Sequence, residues 1–219
     1  MFTKLLMFFV CLNLLPAADQ ASRQMARDYL KELIEIDTTD SHGDVTRAAN
    51  AMARRLLDAG FPAGDVAVVG AAPNRGNVIA RLRGTGKGKP VLFLAHLDVV
   101  EARRTDWSTD PFTLVEKDGY FYGRGTTDDK SGAALFAVAF AQLKLEGYRP
   151  QRDLILALTT GEESGDGNGV KWLLANSRSL IDAEYCINAD AGGGQIRKGK
   201  RLAFAIQAAE KGYATFRIT

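Results

Sequence analysis

Short apolar runs alternate with segments of helical periodicity along most of the chain, and this alternation limits its possible folds more than any other feature. Strand-like runs lie at residues 66–69, 78–82, 91–94, 154–158 and 185–188. Helical spacing of apolar residues occupies 21–37, 45–57, 133–145 and 170–175. Strands that alternate with helices predict an α/β domain whose central, mostly parallel sheet is flanked by helices. A β-hairpin is expected at 112–122, around Asp118-Gly119.

Composition narrows the function classes. The chain of 219 residues is 46% hydrophobic and 25% charged, as expected for a globular domain with a core. Its 28 basic residues nearly cancel its 26 acidic ones, so the net charge of +2 gives no reason to expect a nucleic-acid partner. Cys11 and Cys186 cannot form a four-thiolate metal site, so a metal must be bound by imidazole and carboxylate. Cys186 lies in an apolar stretch, and we expect it to be buried and inert.

The first 18 residues have the layout of a secretory signal peptide. Lys4 precedes an apolar run at 5–15, and the small residues Ala17 and Ala18 follow it. The run is shorter than the roughly 20 residues of a membrane-spanning helix, so no stable membrane span is expected. The pattern predicts export to the periplasm or the medium. The alternative is a misplaced start codon, with Met25 as the true start.

A histidine and an aspartate follow the strand predicted at 91–94. Residues two apart on a strand point to the same side, so His96 and Asp98 leave the strand together. Ligands of open α/β sheets bind beyond the carboxyl ends of strands. The pair suits a metal-binding histidine that is oriented by a carboxylate, although a histidine bonded to a nearby aspartate is also a common structural feature.

Three further acidic clusters are predicted at the same rim of the sheet. Glu162-Glu163 and Asp190 follow strands, and Asp128-Asp129 precedes the helix at 133–145. Each cluster alone is typical of a helix cap or a solvated loop. Together they would place like charges side by side, which is costly unless a cation neutralises them. The sequence therefore predicts one or more bound metal ions.

Five motifs carry a family resemblance. They are LAHLDVV, the DW-x-x-DPF run at 106–112, DGYFYGRGTTDDKSG, TTGEESG and INADAG. In order and spacing they resemble the di-zinc metallopeptidases and deacylases of peptidase family M20, which include glutamate carboxypeptidase, aminoacylase, succinyl-diaminopimelate desuccinylase and bacterial dipeptidases. The resemblance implies a three-layer zinc-exopeptidase fold and hydrolysis of peptide or N-acyl amide bonds. The substrate would be a small peptide or an N-acyl amino acid.

The resemblance also implies the metal ligands. The first Zn²⁺ would be bound by His96, Asp128 and Asp190. Asp128 would bridge to a second Zn²⁺, which Glu163 would also bind. Co²⁺ or Mn²⁺ could replace zinc. The residue types suit this chemistry, because two metals about 3.5–4 Å apart need a bridging carboxylate.

Two catalytic roles complete the inferred site. The resemblance makes Asp98 the partner of His96 and Glu162 the general base that acts on a metal-activated water. Spacing alone leaves open which of Glu162 and Glu163 is the base and which is the ligand. A non-catalytic relative that keeps the fold for binding or assembly is the alternative to an enzyme.

One expected ligand is missing. The family supplies a second histidine to the second zinc, whereas no histidine follows His96 here. His42 lies in a polar loop without an acidic ligand motif, and a solvated loop residue is expected there. The alternating run at 213–219 resembles the first strand of the family's lid domain. We therefore expect the N-terminal part of a longer protein, with a catalytic domain over 19–210 and with 211–219 beginning a lid that could mediate homodimerisation. Little or no turnover is expected from these 219 residues alone.

Overall fold

The computed structural model describes residues 20–164, 167–190, 193–209 and 217. The predicted signal peptide at 1–18 lies outside the described residues, and so does almost all of the expected lid segment at 211–219. Within the described residues, no helix is long and apolar enough to cross a membrane.

The elements follow the predicted alternation. The helices are α1 (Gln20–Ile34), α2 (Val45–Asp58), α3 (Lys130–Leu145), α4 (Gly169–Asn176) and α5 (Arg178–Ile181). The strands of the main sheet are β1 (Val66–Gly70), β2 (Gly76–Leu82), β3 (Val91–His96), β6 (Leu154–Thr159) and β7 (Tyr185–Asn188). Two hairpins are separate, β4 (Val115–Lys117) with β5 (Tyr120–Tyr122), and β8 (Gly193–Arg197) with β9 (Lys200–Ala205).

The main sheet has the strand order β1-β2-β6-β3-β7. Strand β3 pairs in parallel with both β6 and β7, while β2 pairs antiparallel with β1 and β6. The predicted α/β class is confirmed. The main sheet is mixed, and within it parallel pairing is confined to β3, β6 and β7, whose ends carry the predicted site. The predicted hairpin is also confirmed, with Asp118 and Gly119 at positive φ in its turn.

The core has two halves, one on each face of the sheet. Strand β6 shows the division, because Leu156 and Leu158 pack with α1, α2 and α3, whereas Ile155 and Ala157 pack with residues of α4 and α5. Alternate residues of a strand point to opposite faces, so an unbroken apolar run suits a strand covered on both sides. Helices, sheet and helices therefore form the three layers expected.

Cys186 corrects one prediction. The structure places it in β7, at the edge of the described sheet, and its side chain is exposed rather than buried. An apolar neighbourhood in sequence does not bury a residue whose strand has a neighbour on one side only.

Candidate metal centre

Parallel pairing brings the predicted residues to one edge of the sheet. His96 is the last residue of β3 and lies opposite Thr159, the last residue of β6. On the other side of β3, Leu94 pairs with Asn188 of β7, two residues before Asp190. The segments after the three strands therefore leave the sheet side by side.

His96, Asp128 and Asp190 form the first group of potential ligands. Nε2 of His96 lies 2.8 Å from Oδ1 of Asp128 and 3.9 Å from Oδ2 of Asp190. One ligand atom from each residue lies within 4.8 Å of the others. Atoms bound to one zinc at about 2.0–2.2 Å stand roughly 3.5 Å apart, so this group fits a single metal ion with small adjustments.

His96, Glu162 and Glu163 form a second group. Their ligand atoms also lie within 4.8 Å of one another. The structure thus brings the other three predicted metal ligands and the predicted base close to the imidazole of His96. Glu162 is the exposed member of this group and lines a cavity of about 1080 Å³. His42 is exposed and belongs to neither group, both of which were found among the described residues.

The histidine is held through its other nitrogen. Nδ1 of His96 lies 2.9 Å from the backbone carbonyl oxygen of Asp98, and the ring is 3% exposed. A donor at Nδ1 leaves Nε2 with a free lone pair, the form that binds a metal. The sequence predicted that the Asp98 carboxylate would orient the ring, but Oδ1 is 3.8 Å from Nδ1 and the carbonyl makes the contact.

The carboxylate of Asp98 has another partner. Its Oδ2 accepts a 3.0 Å hydrogen bond from the backbone N–H of Glu163. Its Oδ1 is buried and has no hydrogen-bond partner in the part of the chain that the structure describes. A buried carboxylate oxygen without a partner is costly, and a nearby cation would offset that cost.

Burial and like charges set the protonation of the cluster. Burial raises the pKa of Glu162 and of Glu163, and neighbouring carboxylates raise them further. For His96, burial lowers the pKa, but the charges and contacts of Asp98, Asp129 and Asp128 outweigh it and raise the pKa. The carboxylates therefore crowd around one imidazole, and this arrangement favours a bound cation.

Two supporting residues beside Asp128 had no role of their own in the sequence prediction. Asp129 is buried, its Oδ2 accepts from the backbone N–H of His96 at 3.3 Å, and burial raises its pKa to about 7. Nζ of Lys130 donates 2.8 Å hydrogen bonds to the carbonyls of Leu33 and Ile36, and burial lowers its pKa to about 7. These contacts fix the start of α3, and hence Asp128, against β3 and α1. The Asp128-Asp129-Lys130 string was the available signal.

A second cavity, of about 470 Å³, borders the candidate centre. Asp98 and Glu163 form part of its wall, together with Thr39, Val99, Arg75 and Glu101. The candidate centre therefore borders two cavities: Glu163 lines the smaller one and Glu162 lines the larger one.

A family model for peptidase family M20/M25/M40 matches residues 92–211, which include all the residues of the centre. The chain belongs to this family. It is 40% identical over 125 residues to a probable succinyl-diaminopimelate desuccinylase of Staphylococcus aureus (strain Mu50), covering 56% of this chain and 30% of the relative. It is 35% identical over 133 residues to a succinyl-diaminopimelate desuccinylase of Delftia acidovorans, and this match covers 57% of this chain and 34% of the relative. The chain thus spans about a third of the length of these relatives.

Solved structures of this family show the same fold. Human carnosine dipeptidase 1 superposes with a TM-score of 0.63 at 22% identity, over 80% of this chain and 42% of that protein. A metallo-carboxypeptidase of the family from Sulfolobus solfataricus gives a TM-score of 0.62 at 23% identity, over 77% of this chain and 38% of that protein. A Bacillus subtilis member, described as a dinuclear metal-binding peptidase, gives a TM-score of 0.55 at 16% identity, over 78% and 43%. These superpositions show that the chain shares the fold of these proteins.

Proposed function

We propose that this protein is a zinc-dependent hydrolase of peptide or N-acyl amide bonds. The observation that carries the proposal is that two pairs of carboxylates converge on His96. One pair is Asp128 and Asp190, and the other is Glu162 and Glu163. Imidazole and carboxylate ligands suit Zn²⁺, and Co²⁺ or Mn²⁺ could take the same places. When bound, zinc supplies Lewis-acid activation of water and of the scissile carbonyl.

Glu162 is proposed as the general base. It is the exposed carboxylate of its group, and it lines the larger cavity. Burial raises its pKa above that of an ordinary glutamate, which brings it closer to the working range of a group that accepts and returns protons near neutral pH. It would take a proton from the attacking water and deliver it to the leaving amine. Glu163, held by its backbone on Asp98, would serve as a ligand.

The substrate class is proposed from relatives. Those at 35–40% identity are described as succinyl-diaminopimelate desuccinylases, whereas a structural neighbour is a dipeptidase. We infer that the substrate is a small N-acyl amino acid or peptide. Export is proposed from the signal-peptide pattern of residues 1–18. Homodimerisation through a lid domain stays a prediction of the family resemblance.

The test is amine release by the longest form of the protein that its gene encodes. After loading with Zn²⁺, it is incubated with N-succinyl amino acids, N-acetyl amino acids and dipeptides, and free amine is quantified. We expect release from at least one class, its loss on chelation and its recovery on zinc addition. Zinc binding without release from any class would favour the non-catalytic alternative.

A further inference from the structure

Asn77 is a buried amide among apolar residues of β2. Its side chain is fully buried, and Val78 and Ile79 follow it in the core. Nδ2 donates a 2.9 Å hydrogen bond to the carbonyl of Val69 in β1, and Oδ1 accepts a 3.1 Å bond from the backbone N–H of Thr160. A buried amide with both ends bonded fixes the two segments that it joins.

The contact with Thr160 lies where the backbone ladder stops. Pairing between β2 and β6 ends at Val78 opposite Leu158, so no strand partner remains for the N–H of Thr160. Thr160 is 2% exposed, and an unpaired N–H there would carry a full desolvation cost. The amide of Asn77 takes the place of the next ladder bond. It therefore holds the chain just as it leaves the sheet towards Glu162.

Asn77 also contacts the far end of the same loop. The N–H of Gly169 donates a 2.6 Å hydrogen bond to the carbonyl of Thr160, which brings the two ends of the loop together. A Cβ atom added to Gly169 would lie 1.9 Å from Oδ1 of Asn77, so the amide packs directly on the glycine backbone. We call this contact point the neck of the loop, and it consists of Asn77, Thr160 and Gly169.

We propose that Asn77 is a positioning residue for the carboxylates Glu162 and Glu163. Glu162 lies two residues beyond the neck, with Gly161 at a φ of +72° between. Shifts at Thr160 would therefore move both carboxylates relative to His96, whose position is set by β3 and Asp98. Residues that support ligands from outside the coordination sphere typically change metal affinity about 10–100-fold when they are lost. The inference rests on the proposed metal site.

The test separates positioning from mere sheet stability. Zn²⁺ is titrated calorimetrically into the chain and into Asn77→Ser and Asn77→Leu. We expect the weaker binding step, which uses Glu163, to lose affinity at least about tenfold, while the tight step stays within about twofold. Val78→Ala is the matched control, because it removes fully buried volume next to Asn77 without touching the neck. It should lower the unfolding temperature and leave both zinc steps within about twofold.

A second readout needs no metal. The N–H of Glu163 is bonded to Asp98, so its hydrogen exchange reports whether the carboxylate segment is held in place. In the metal-free chain, exchange at Glu163 should be faster in Asn77→Ser than in Val78→Ala at equal global stability. If Asn77→Leu does not fold, Asn77→Ser decides, since water can occupy the vacated space.

Two results would overturn the inference. One is an affinity of Asn77→Ser for the second, weaker-binding zinc that stays within about twofold of the affinity of the parent chain. The other is hydrogen exchange at Glu163 that is no faster in Asn77→Ser than in Val78→Ala. This second result decides the question if the parent chain shows only one zinc-binding step. A parent chain that binds no zinc would instead overturn the proposed function, and the exchange result would still decide whether Asn77 holds the segment.

Discussion

The backbone N–H of Glu163 donates a 3.0 Å hydrogen bond to Oδ2 of Asp98, and this bond joins the segments that follow β6 and β3. The backbone carbonyl of the same Asp98 lies 2.9 Å from Nδ1 of His96. The buried residue Asp98 therefore contacts both the imidazole of His96 and the backbone of the segment that carries Glu162 and Glu163. Its side chain and its backbone serve different halves of the centre, and substitution can separate these two functions.

Removal of the Asp98 side chain should weaken metal binding at Glu163. Asp98→Ala deletes the acceptor of the Glu163 N–H but keeps the carbonyl that holds His96. Asp98→Asn retains an oxygen that can accept, so its effect should be smaller. We expect Asp98→Ala to weaken the second zinc step about 10–100-fold in a calorimetric titration. Equal affinities of Asp98→Ala and the parent would contradict this function of the side chain.

Glutamine substitutions distinguish the two glutamates. In the longest form of the protein that its gene encodes, Glu162→Gln should keep the zinc content and lower the hydrolysis rate about 10²–10⁴-fold, because the amide keeps the shape but cannot accept a proton. Glu163→Gln should lower zinc content, since an amide oxygen is a weaker ligand than a carboxylate. Zinc analysis and initial rates on the same preparations give both values. Zinc loss in Glu162→Gln with retention in Glu163→Gln would mean that the two roles are reversed.

The two groups of potential ligands share His96, and this sharing sets the stoichiometry. Because one imidazole nitrogen binds one metal, both groups cannot have three protein ligands at once. We predict close to one tightly held zinc per chain after dialysis against a weak chelator, with a second ion bound weakly. His96→Ala should remove the tight ion. Two tightly held ions would show that another residue, such as His42, completes the second site.

The carboxylate of Asp153 should contribute stability that depends on pH. It accepts from the N–H of Gly84 at 2.8 Å and from Arg81 at 3.1 Å. Burial pushes its pKa upward, but these contacts outweigh burial and lower the pKa. A lowered carboxyl pKa gives stability that is present above the unfolded pKa, about 3.9, and is lost as pH falls through the folded value.

Asp153→Asn tests this dependence. At pH 7 the variant should unfold with a free energy about 1 kcal/mol lower than the parent, since a charged acceptor is replaced by a neutral one. The difference should shrink at pH 3 and below, and urea unfolding at both pH values measures it. A difference that is the same at pH 7 and pH 3 would contradict the prediction.

Much of the fold follows from patterns within single segments. The apolar run before His96 predicts a strand, and the periodicity before Gly60 predicts α2, whose start is set by Asp44 accepting from the N–H of Arg47. The antiparallel half of the sheet does not follow from alternation alone. Only five residues separate β1 from β2, too few for a parallel crossover, and this spacing was the available signal.

The site was predictable to a similar extent. The rule that ligands gather at strand ends placed His96, Asp190 and Glu163 together, and the structure agrees. The partners of Asp98 and Asn77 were not predictable, because each depends on contacts between residues far apart in sequence. Whether an Asp bonds through its carboxylate or its carbonyl depends on sub-ångström tertiary geometry, which residue spacing does not encode.

Anomalous diffraction from zinc-soaked crystals at the zinc absorption edge tests the central claim most directly. We predict a strong peak about 2.0–2.2 Å from Nε2 of His96 and from carboxylate oxygens of Asp128 and Asp190. A weaker peak beside Glu163 would mark the second site. A strong peak elsewhere, or no peak within bonding distance of His96, would contradict the assignment of this strand edge as a metal centre.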